Sequence, residues 1–365
     1  MPDDMTVQIA RRLRARREYL GLSQDQLADR LGLNHRQTLT QIENGERKIQ
    51  PSELAAAARA LDVRLDYFTD PYKAAGEATF SFRADTADEG LLADFERTAG
   101  DWLATYRALG MPDFLKKALS LSDRSSYEQA QAAGEQTARE LRLGRCPANG
   151  LQEALEREWG VLVLYVDFPP GISGAASRLE GLQAILVNRH ESVGRRHYDL
   201  AHELFHLLTW DTMPPARLDT EQVRGRAARR VEQLANNFAS ALLMPSDSVR
   251  TAWDERGELP LIDRIVVLAD DFKVSAPAMK WRVANLDLVA RGALPEDAKL
   301  AAVAGTGGRP DVKPPLFNVE FVRRLHSAVE DGVLSLRKAT QILATDTAGF
   351  AELCRSYGRQ LTYDV

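Results

Sequence analysis

The segment His202-Glu203-Leu204-Phe205-His206 places the strongest constraint on how this chain can fold. It is predicted to be helical, because no proline follows until Pro214 and apolar residues recur at helical spacing: Leu200, Leu204, Leu207 and Leu208. Residues four positions apart lie on one face of a helix, so His202 and His206 can bind one zinc ion. Glu203 would then lie beside the metal, where it can take a proton from water. The alternative is that both histidines are satisfied core residues.

A zinc site with two histidines needs a third protein ligand. Residues 226–245 supply a candidate on a second predicted helix, which ends at Met244-Pro245. Glu232 is the carboxylate in this block best placed to reach the first helix. Asn236 lies one turn later on the same face and could hydrogen-bond a ligand. An exposed helix charge is the alternative interpretation of Glu232.

The two blocks, in this order, resemble the ImmA/IrrE-type family of bacterial metallopeptidases. The family pattern A-H-E-x-x-H, followed by E-x-x-A-N-x-F-A-x-x-L-L-M-P, matches residues 201–206 and 232–245. The resemblance implies that the zinc ligands are His202, His206 and Glu232. It also implies that Glu203 is the general base of a peptidase.

Two positions depart from the family pattern. Phe205 stands where the family usually has glycine, and Trp210 stands where another histidine is common. Neither change removes a ligand, but Phe205 is bulky and could narrow the cleft.

Residues 7–69 predict five short amphipathic helices. Ser23 is a good N-cap, Gly32 ends a helix, Asn34 could cap the next helix, and Asn44-Gly45 marks a turn. This region of about 60 residues resembles the XRE-type helix-turn-helix of phage repressors, through the segments LSQDQLA (22–28) and QIENGER (41–47).

A recognition helix must present side chains that can bond base edges in the major groove. The predicted DNA-binding residues are Gln24, Arg36, Gln37, Thr38, Thr40 and Gln41. Gln24 could either touch phosphate or support the reading helix. The first helix also has a basic run, for which DNA contact and a solvated face are both open interpretations: Arg11, Arg12, Arg14, Arg16 and Arg17.

Composition is that of a globular protein in a reducing compartment. The 365 residues predict two or three domains, and the net charge is −5. Cys146 and Cys354 are isolated and form no metal-binding or disulfide pattern. No apolar run approaches membrane-spanning length, and the N-terminus has no signal-peptide core. We therefore expect a cytoplasmic, nucleoid-associated protein.

The predicted fold is α+β and predominantly helical. A helix at 151–159 precedes a strand at 161–166 and another at 182–188, with residues 171–175 as a loop or edge strand between them. The predicted order is a five-helix XRE-like DNA-binding domain (1–72), a helical linker or dimerisation region (73–148), a zincin-like peptidase domain with a small sheet (149–304), a Gly/Pro linker (305–315) and a helical C-terminal module (316–365). Residues 73–148 could equally belong to the peptidase core.

These features predict a DNA-binding regulator with a zinc-dependent peptidase domain. The expected partners are double-stranded operator DNA, with an inverted repeat read by a homodimer, and a protein substrate. That substrate could be a partner repressor, an antitoxin or the chain itself, and no membrane partner is expected. The alternative is a transcription factor or antitoxin whose peptidase-like domain only senses a ligand or metal.

Overall fold

A computed structural model describes residues 4–84, 88–110, 117–219, 226–304 and 312–362. The predicted α+β, predominantly helical fold is confirmed. The helices of the N-terminal region are α1 Asp4–Tyr19, α2 Gln24–Leu31, α3 Arg36–Glu43, α4 Pro51–Ala60 and α5 Asp66–Thr69. The helices that follow are α6 Glu89–Ala108, α7 Tyr127–Glu140, α8 Leu151–Glu158, α9 Val193–Thr209, α10 Arg226–Leu243, α11 Ser246–Asp254, α12 Leu261–Asp271, α13 Ala276–Asn285, α14 Asp297–Ala304, α15 Val319–Glu330, α16 Leu336–Leu343 and α17 Thr347–Ser356. The strands are β1 Thr79–Ala84, β2 Leu162–Val166, β3 Ile172–Leu179, β4 Leu182–Asn188 and β5 Leu218–Asp219.

Helices α1–α5 form the head, defined here as residues 4–70, and confirm the five predicted helices. Ser23 caps α2 in a reciprocal pair with Gln26, and Gly32 ends the helix in the left-handed conformation that glycine accepts most readily. The expected Asn34 cap is wrong, since α3 begins after His35, which makes no side-chain capping bond. The head has its own apolar core, centred on Leu13, Leu27, Leu39, Ile42 and Phe68.

The sheet has the strand order β2-β4-β3-β1-β5. Strand β3 lies between β4 and β1 and is antiparallel to both, so the expectation of a loop or edge strand at 171–175 is wrong. Alternate residues of β4 face opposite layers: Ile185 and Val187 pack in the core that includes α9 and α10, while Ala184 and Leu186 pack in the core that includes α6 and α15. Helices therefore cover both faces of the sheet.

We call the sheet and the helices that cover it the body. The described part of residues 73–148, predicted as a helical linker or dimerisation region, contributes strand β1 and helices α6 and α7 to this body. Strand β1 pairs with β3 from Thr79 opposite Arg178 to Ala84 opposite Ile172. Helix α7 crosses α10 so closely that a Cβ at Gly134 would clash with the carbonyl oxygen of Phe238. These contacts favour the alternative that the stretch belongs to the peptidase core, although the domain boundaries remain a prediction.

The C-terminal helices pack on the sheet face opposite α9. The indole nitrogen of Trp102 in α6 donates to the carbonyl of Ile342 at 3.0 Å, and Phe317 forms an isolated antiparallel bridge with Tyr165 of β2. The predicted linker 305–315 lies outside the described residues except for 312–315.

Ion pairs around Glu77 join α1 of the head to the body. We call them the Glu77 cluster. The fully buried Arg12 bonds Glu77 at 2.7 Å, and Arg107 of α6 approaches the same carboxylate at 3.3 Å. Arg11 pairs with Glu180 in the turn between β3 and β4. Part of the basic run in α1 is therefore structural.

A search of the described helices finds none with the length and apolar character needed to cross a bilayer.

Candidate metal centre and nucleic-acid interface

Helix α9 presents the H-E-x-x-H residues to the interior of the body. The helix packs against β3 and β4, and its apolar residues Leu200, Leu204 and Leu207 join the core on that side of the sheet. Its polar residues are buried as well: His202 is 0% exposed, Glu203 1% and His206 5%. Buried polar side chains need partners, so their surroundings decide what they can do.

Helix α10 brings Glu232 to the two histidines. Its carboxylate oxygens each lie 3.1 Å from one imidazole Nε2, Oε2 from His202 and Oε1 from His206, and the two Nε2 atoms are 3.1 Å apart. Donor atoms of a tetrahedral zinc site with bonds of about 2.0–2.1 Å lie roughly 3.4 Å apart. The three side chains therefore fit a zinc site in donor type, spacing and burial.

Asn236 orients the first ligand. Its side-chain oxygen lies 3.1 Å from Nδ1 of His202, so this nitrogen donates and Nε2 keeps the lone pair that a metal requires. The prediction that Asn236 is a ligand's hydrogen-bond partner is confirmed. Tyr198 donates to the backbone carbonyl of Asn236 at 3.0 Å, which ties α9 to α10 at this point.

The electrostatics of the cluster suit metal binding. Burial lowers the pKa of His202 to about 4, which keeps the imidazole neutral. Burial opposes ionisation of Glu232, but its contacts with His202 and His206 outweigh burial and lower the pKa of this carboxyl. The cluster thus combines the neutral imidazole of His202 with the ionised carboxylate of Glu232.

Glu203 is next to this cluster but takes no part in it. Its Oε1 is buried and has no hydrogen-bond partner among the described residues. A Cβ at Gly174 of β3 would lie 3.4 Å from Cγ of Glu203 and 3.5 Å from its Oε1, so the small residue leaves room for this side chain. Burial raises the pKa of Glu203 to about 8, against the opposing effects of His206 and Arg83. A buried carboxyl without a partner is suited to exchanging protons.

Phe205 packs into the core. It is fully buried, and its ring lies 5.5 Å from that of Phe238 in α10. The expectation that it could narrow the cleft is therefore wrong, because the core accommodates its volume. Trp210 is half-buried, and the guanidinium carbon of Arg178 lies over its ring, 5.2 Å from the ring centroid.

Arg83 of β1 is a residue of this site that the sequence motifs did not predict. Its Nη1 bonds Oδ1 of the fully buried Asp199 at 2.8 Å, and Nε of Arg195 bonds Oδ2 of the same carboxylate at 3.2 Å. Arg83 enters the site from a strand about 120 residues earlier in the chain, and no spacing pattern around residue 83 indicates this placement.

In the head, the predicted DNA-binding residues gather on α3 and the start of α2. Arg36, Gln37 and Gln41 are exposed, while Thr38 and Thr40 are partly buried. Gln24 is held in place, since it donates to Glu43 at 2.8 Å and accepts from Arg36 and Thr40 at 3.2 Å each. These bonds favour the interpretation that Gln24 supports the reading helix.

A buried ion pair anchors α3 to α1. Nε of Arg17 lies 2.6 Å from Oε1 of Glu43, and both side chains are buried. Arg14 differs, because it is exposed and, among the described residues, pairs with Glu18 alone, which is exposed as well. Of these two arginines, Arg14 is the one available to a phosphate.

Comparison with protein families separates these two sites along the chain. Residues 13–68 match the model described as helix-turn-helix, and residues 156–283 match the model described as IrrE N-terminal-like domain. The chain joins a helix-turn-helix domain to an IrrE-like peptidase domain. The IrrE-like match includes Glu203 and the three candidate ligands His202, His206 and Glu232, whereas Arg83 lies outside both matches.

Two relatives are similar to part of this chain. One is from Sinorhizobium medicae (strain WSM419) and the other from Rhizobium meliloti (strain 1021), and each bears the name uncharacterized HTH-type transcriptional regulator. Each is 27% identical to this chain over 94 residues, which are 26% of this chain and 67% of the relative.

Proposed function

We propose that this protein is a DNA-binding transcriptional regulator whose IrrE-like domain is a zinc-dependent peptidase. The observation that carries the proposal is the buried carboxylate of Glu203, which has no hydrogen-bond partner among the described residues and lies beside the set His202, His206 and Glu232. The zinc dependence of the matched family supports the choice of metal. The proposed substrate is a partner repressor, an antitoxin or the chain itself.

His202, His206 and Glu232 would hold the zinc, while Asn236 fixes the His202 ring. Bound zinc would polarise the scissile carbonyl and lower the pKa of water at the site. Glu203 accepts a proton from the water whose oxygen forms the new bond to the carbonyl carbon. It then passes that proton to the nitrogen of the amine that leaves when the C–N bond breaks.

The helix-turn-helix domain would bring this chemistry to operator DNA. The names of the two relatives support a regulatory role, and the exposed polar side chains of α3 suit contact with base edges. We propose that two copies of the chain read an inverted repeat in the cytoplasm, with half-sites about one helical turn apart.

A second candidate function is a sensor that binds metal or a ligand without hydrolysis. The burial of the centre favours it, since none of the residues His202, Glu203, His206 and Glu232 is more than 7% exposed. Such a site binds metal well but gives a polypeptide little access.

The substitution Glu203→Gln separates the two functions. Gln nearly matches Glu in shape, and Glu203 is not a proposed ligand, so the variant should keep its zinc and bind operator normally. We expect it to lose cleavage of cellular proteins, measured by comparing new N-termini across the proteomes of wild-type and variant cells. It should also fail to switch its target genes in response to signal.

Glu158→Gln, the same chemical change at an exposed position of α8, serves as the matched control and should behave as wild type. If Glu203→Gln cells regulate the target genes normally and show the same N-termini as wild type, hydrolysis is not part of the function. The sensor would then replace the peptidase.

A further inference from the structure

A cavity of about 360 Å³ opens beside the metal centre, between helices α9, α10 and α13. Tyr198 and Asn236 line the cavity, and Asn236 links it to the metal centre because its side chain also hydrogen-bonds His202. A peptide bound across the centre could therefore place a neighbouring side chain in this cavity. Trp281 of α13, 52% exposed, stands on the cavity wall.

The charges of the cavity wall have one sign. Arg83 and Arg195 line it, and no described lining residue is acidic. Both arginines share the single carboxylate of Asp199, which is fully buried behind them. The ionised carboxylate of Asp199 balances one of the two guanidinium charges, so these three groups together carry a net charge of +1.

Both guanidinium groups also have N–H donors that remain available for a ligand. Asp199 takes Nη1 of Arg83 and Nε of Arg195, and these are the only hydrogen bonds of either guanidinium among the described residues. An arginine offers five N–H donors in a planar fork that matches a carboxylate. The remaining donors can bind a second carboxylate while the first stays bound.

The sheet register places Arg83 close to the reacting groups. Arg83 is opposite Gly174 in the pairing of β1 with β3, and a Cβ at Gly174 would lie 3.4 Å from Cγ of Glu203. Side chains of residues directly opposite in a sheet lie on the same face, about 4.5–5.5 Å apart at Cβ. A substrate carboxylate bound by Arg83 would consequently lie near the scissile peptide bond, at which Glu203 transfers protons.

We propose that Arg83 and Arg195 form a subsite for an acidic side chain of the substrate, an Asp or Glu close to the scissile bond. The proposal rests on the peptidase function above and adds to it a class of cleavage sequence. Arg83 comes from a segment outside the IrrE-like match, so this preference would be a property of the present chain.

Binding of peptide mixtures tests the subsite without relying on turnover. The protein is the full-length chain with Glu203→Gln and bound zinc. The probes are fluorescein-labelled decapeptide mixtures with one position at a time fixed as Glu or as Gln, measured by fluorescence anisotropy. At one position we expect Glu to bind about tenfold more tightly than Gln, because hydrogen bonds to a charged group are stronger than those to a neutral amide.

Further substitutions in the same background identify the residues responsible. Arg195→Gln should abolish the preference for Glu, and its side chain is 41% exposed, so the change is tolerable to the fold. Arg83→Gln should do the same. Arg323→Gln is the matched control, since it removes an equally exposed arginine that pairs along its own helix, and it should leave the preference intact. Equal binding of Glu and Gln at every position would overturn the proposal, as would a preference that survives both changes at the cavity.

The wild-type protein, given the same mixtures, distinguishes this proposal from the proposed function. Cleavage without any preference for Glu would refute the acidic subsite and leave the peptidase intact. Binding that depends on Glu without cleavage by wild type would refute the peptidase and leave an anion-binding cavity.

Discussion

The candidate metal centre and the proposed DNA-reading surface use side chains in opposite environments. His202, Glu203, His206 and Glu232 are at most 7% exposed, whereas Arg36, Gln37 and Gln41 are exposed on α3. The buried set is brought together by the fold, and its members contact one another before any ligand arrives. The exposed set depends on a partner to define its contacts. Spacing in the sequence therefore determines much more about the first site than about the second.

The largest effect that we expect concerns the metal. Replacing both His202 and His206 by Ala should abolish zinc binding, because the carboxylate of Glu232 alone is a weak ligand set. Operator binding should be largely unchanged, since the head has a core of its own. Elemental analysis of the full-length protein measures the zinc, and His326→Ala, which alters an imidazole bonded to the carbonyl of Gln360, is the control. One zinc per chain in the double variant would contradict the ligand assignment.

The second expected effect tests the buried ion pair of the head. Arg17→Met leaves Glu43 buried without its guanidinium partner, so we expect the free energy of unfolding of the head to fall by about 3–5 kcal/mol. Arg14→Met removes an exposed pair with Glu18 and should cost about 0–1 kcal/mol. Hydrogen exchange at the amides of α3 in the full-length chain measures both. If both variants lower the free energy of unfolding equally, the distinction between structural and solvated arginines in α1 is wrong.

The smallest expected effect concerns DNA. Arg36→Ala and Gln37→Ala should each weaken binding to an operator selected from random duplexes by about 1–3 kcal/mol, if each side chain makes a bidentate base contact. Affinity for unrelated DNA should change little. Arg14→Ala should instead weaken binding to all sequences and reduce its salt dependence, as expected of a phosphate contact. If Arg36→Ala weakens binding to operator and unrelated DNA alike, Arg36 contacts phosphate and another residue reads the bases.

The sequence predicted that the candidate ligands would lie together, because helical periodicity shows which residues share one face of a helix. His202 and His206 share a helix, and the second block placed Glu232 and Asn236 on one face of another. Strand β3 was harder to predict, since ISGAASRL contains few of the large residues typical of a central strand. The small residues are needed at this position, where Gly174 makes room for Glu203.

Arg83 could not be predicted from local pattern, because its role depends on long-range pairing. Its strand TFSFRA meets β3 in an antiparallel register that nothing near residue 83 specifies. The role of Gln24 was also left open by the local sequence. Its position at the start of α2 allowed either phosphate contact or support of α3, and only its bonds to Glu43, Arg36 and Thr40 favour support.

The pairing of β1 with β3 also governs the order in which a newly made chain can acquire its parts. Thr79 is translated 99 residues before its partner Arg178. At about 5–20 residues per second, a ribosome needs roughly 5–20 s to cover that interval. The head is complete by then, while Phe80 and Phe82 of β1 still await the strand that will bury them. A nascent chain therefore passes through a stage in which the head is complete but the sheet beside the candidate metal centre is not.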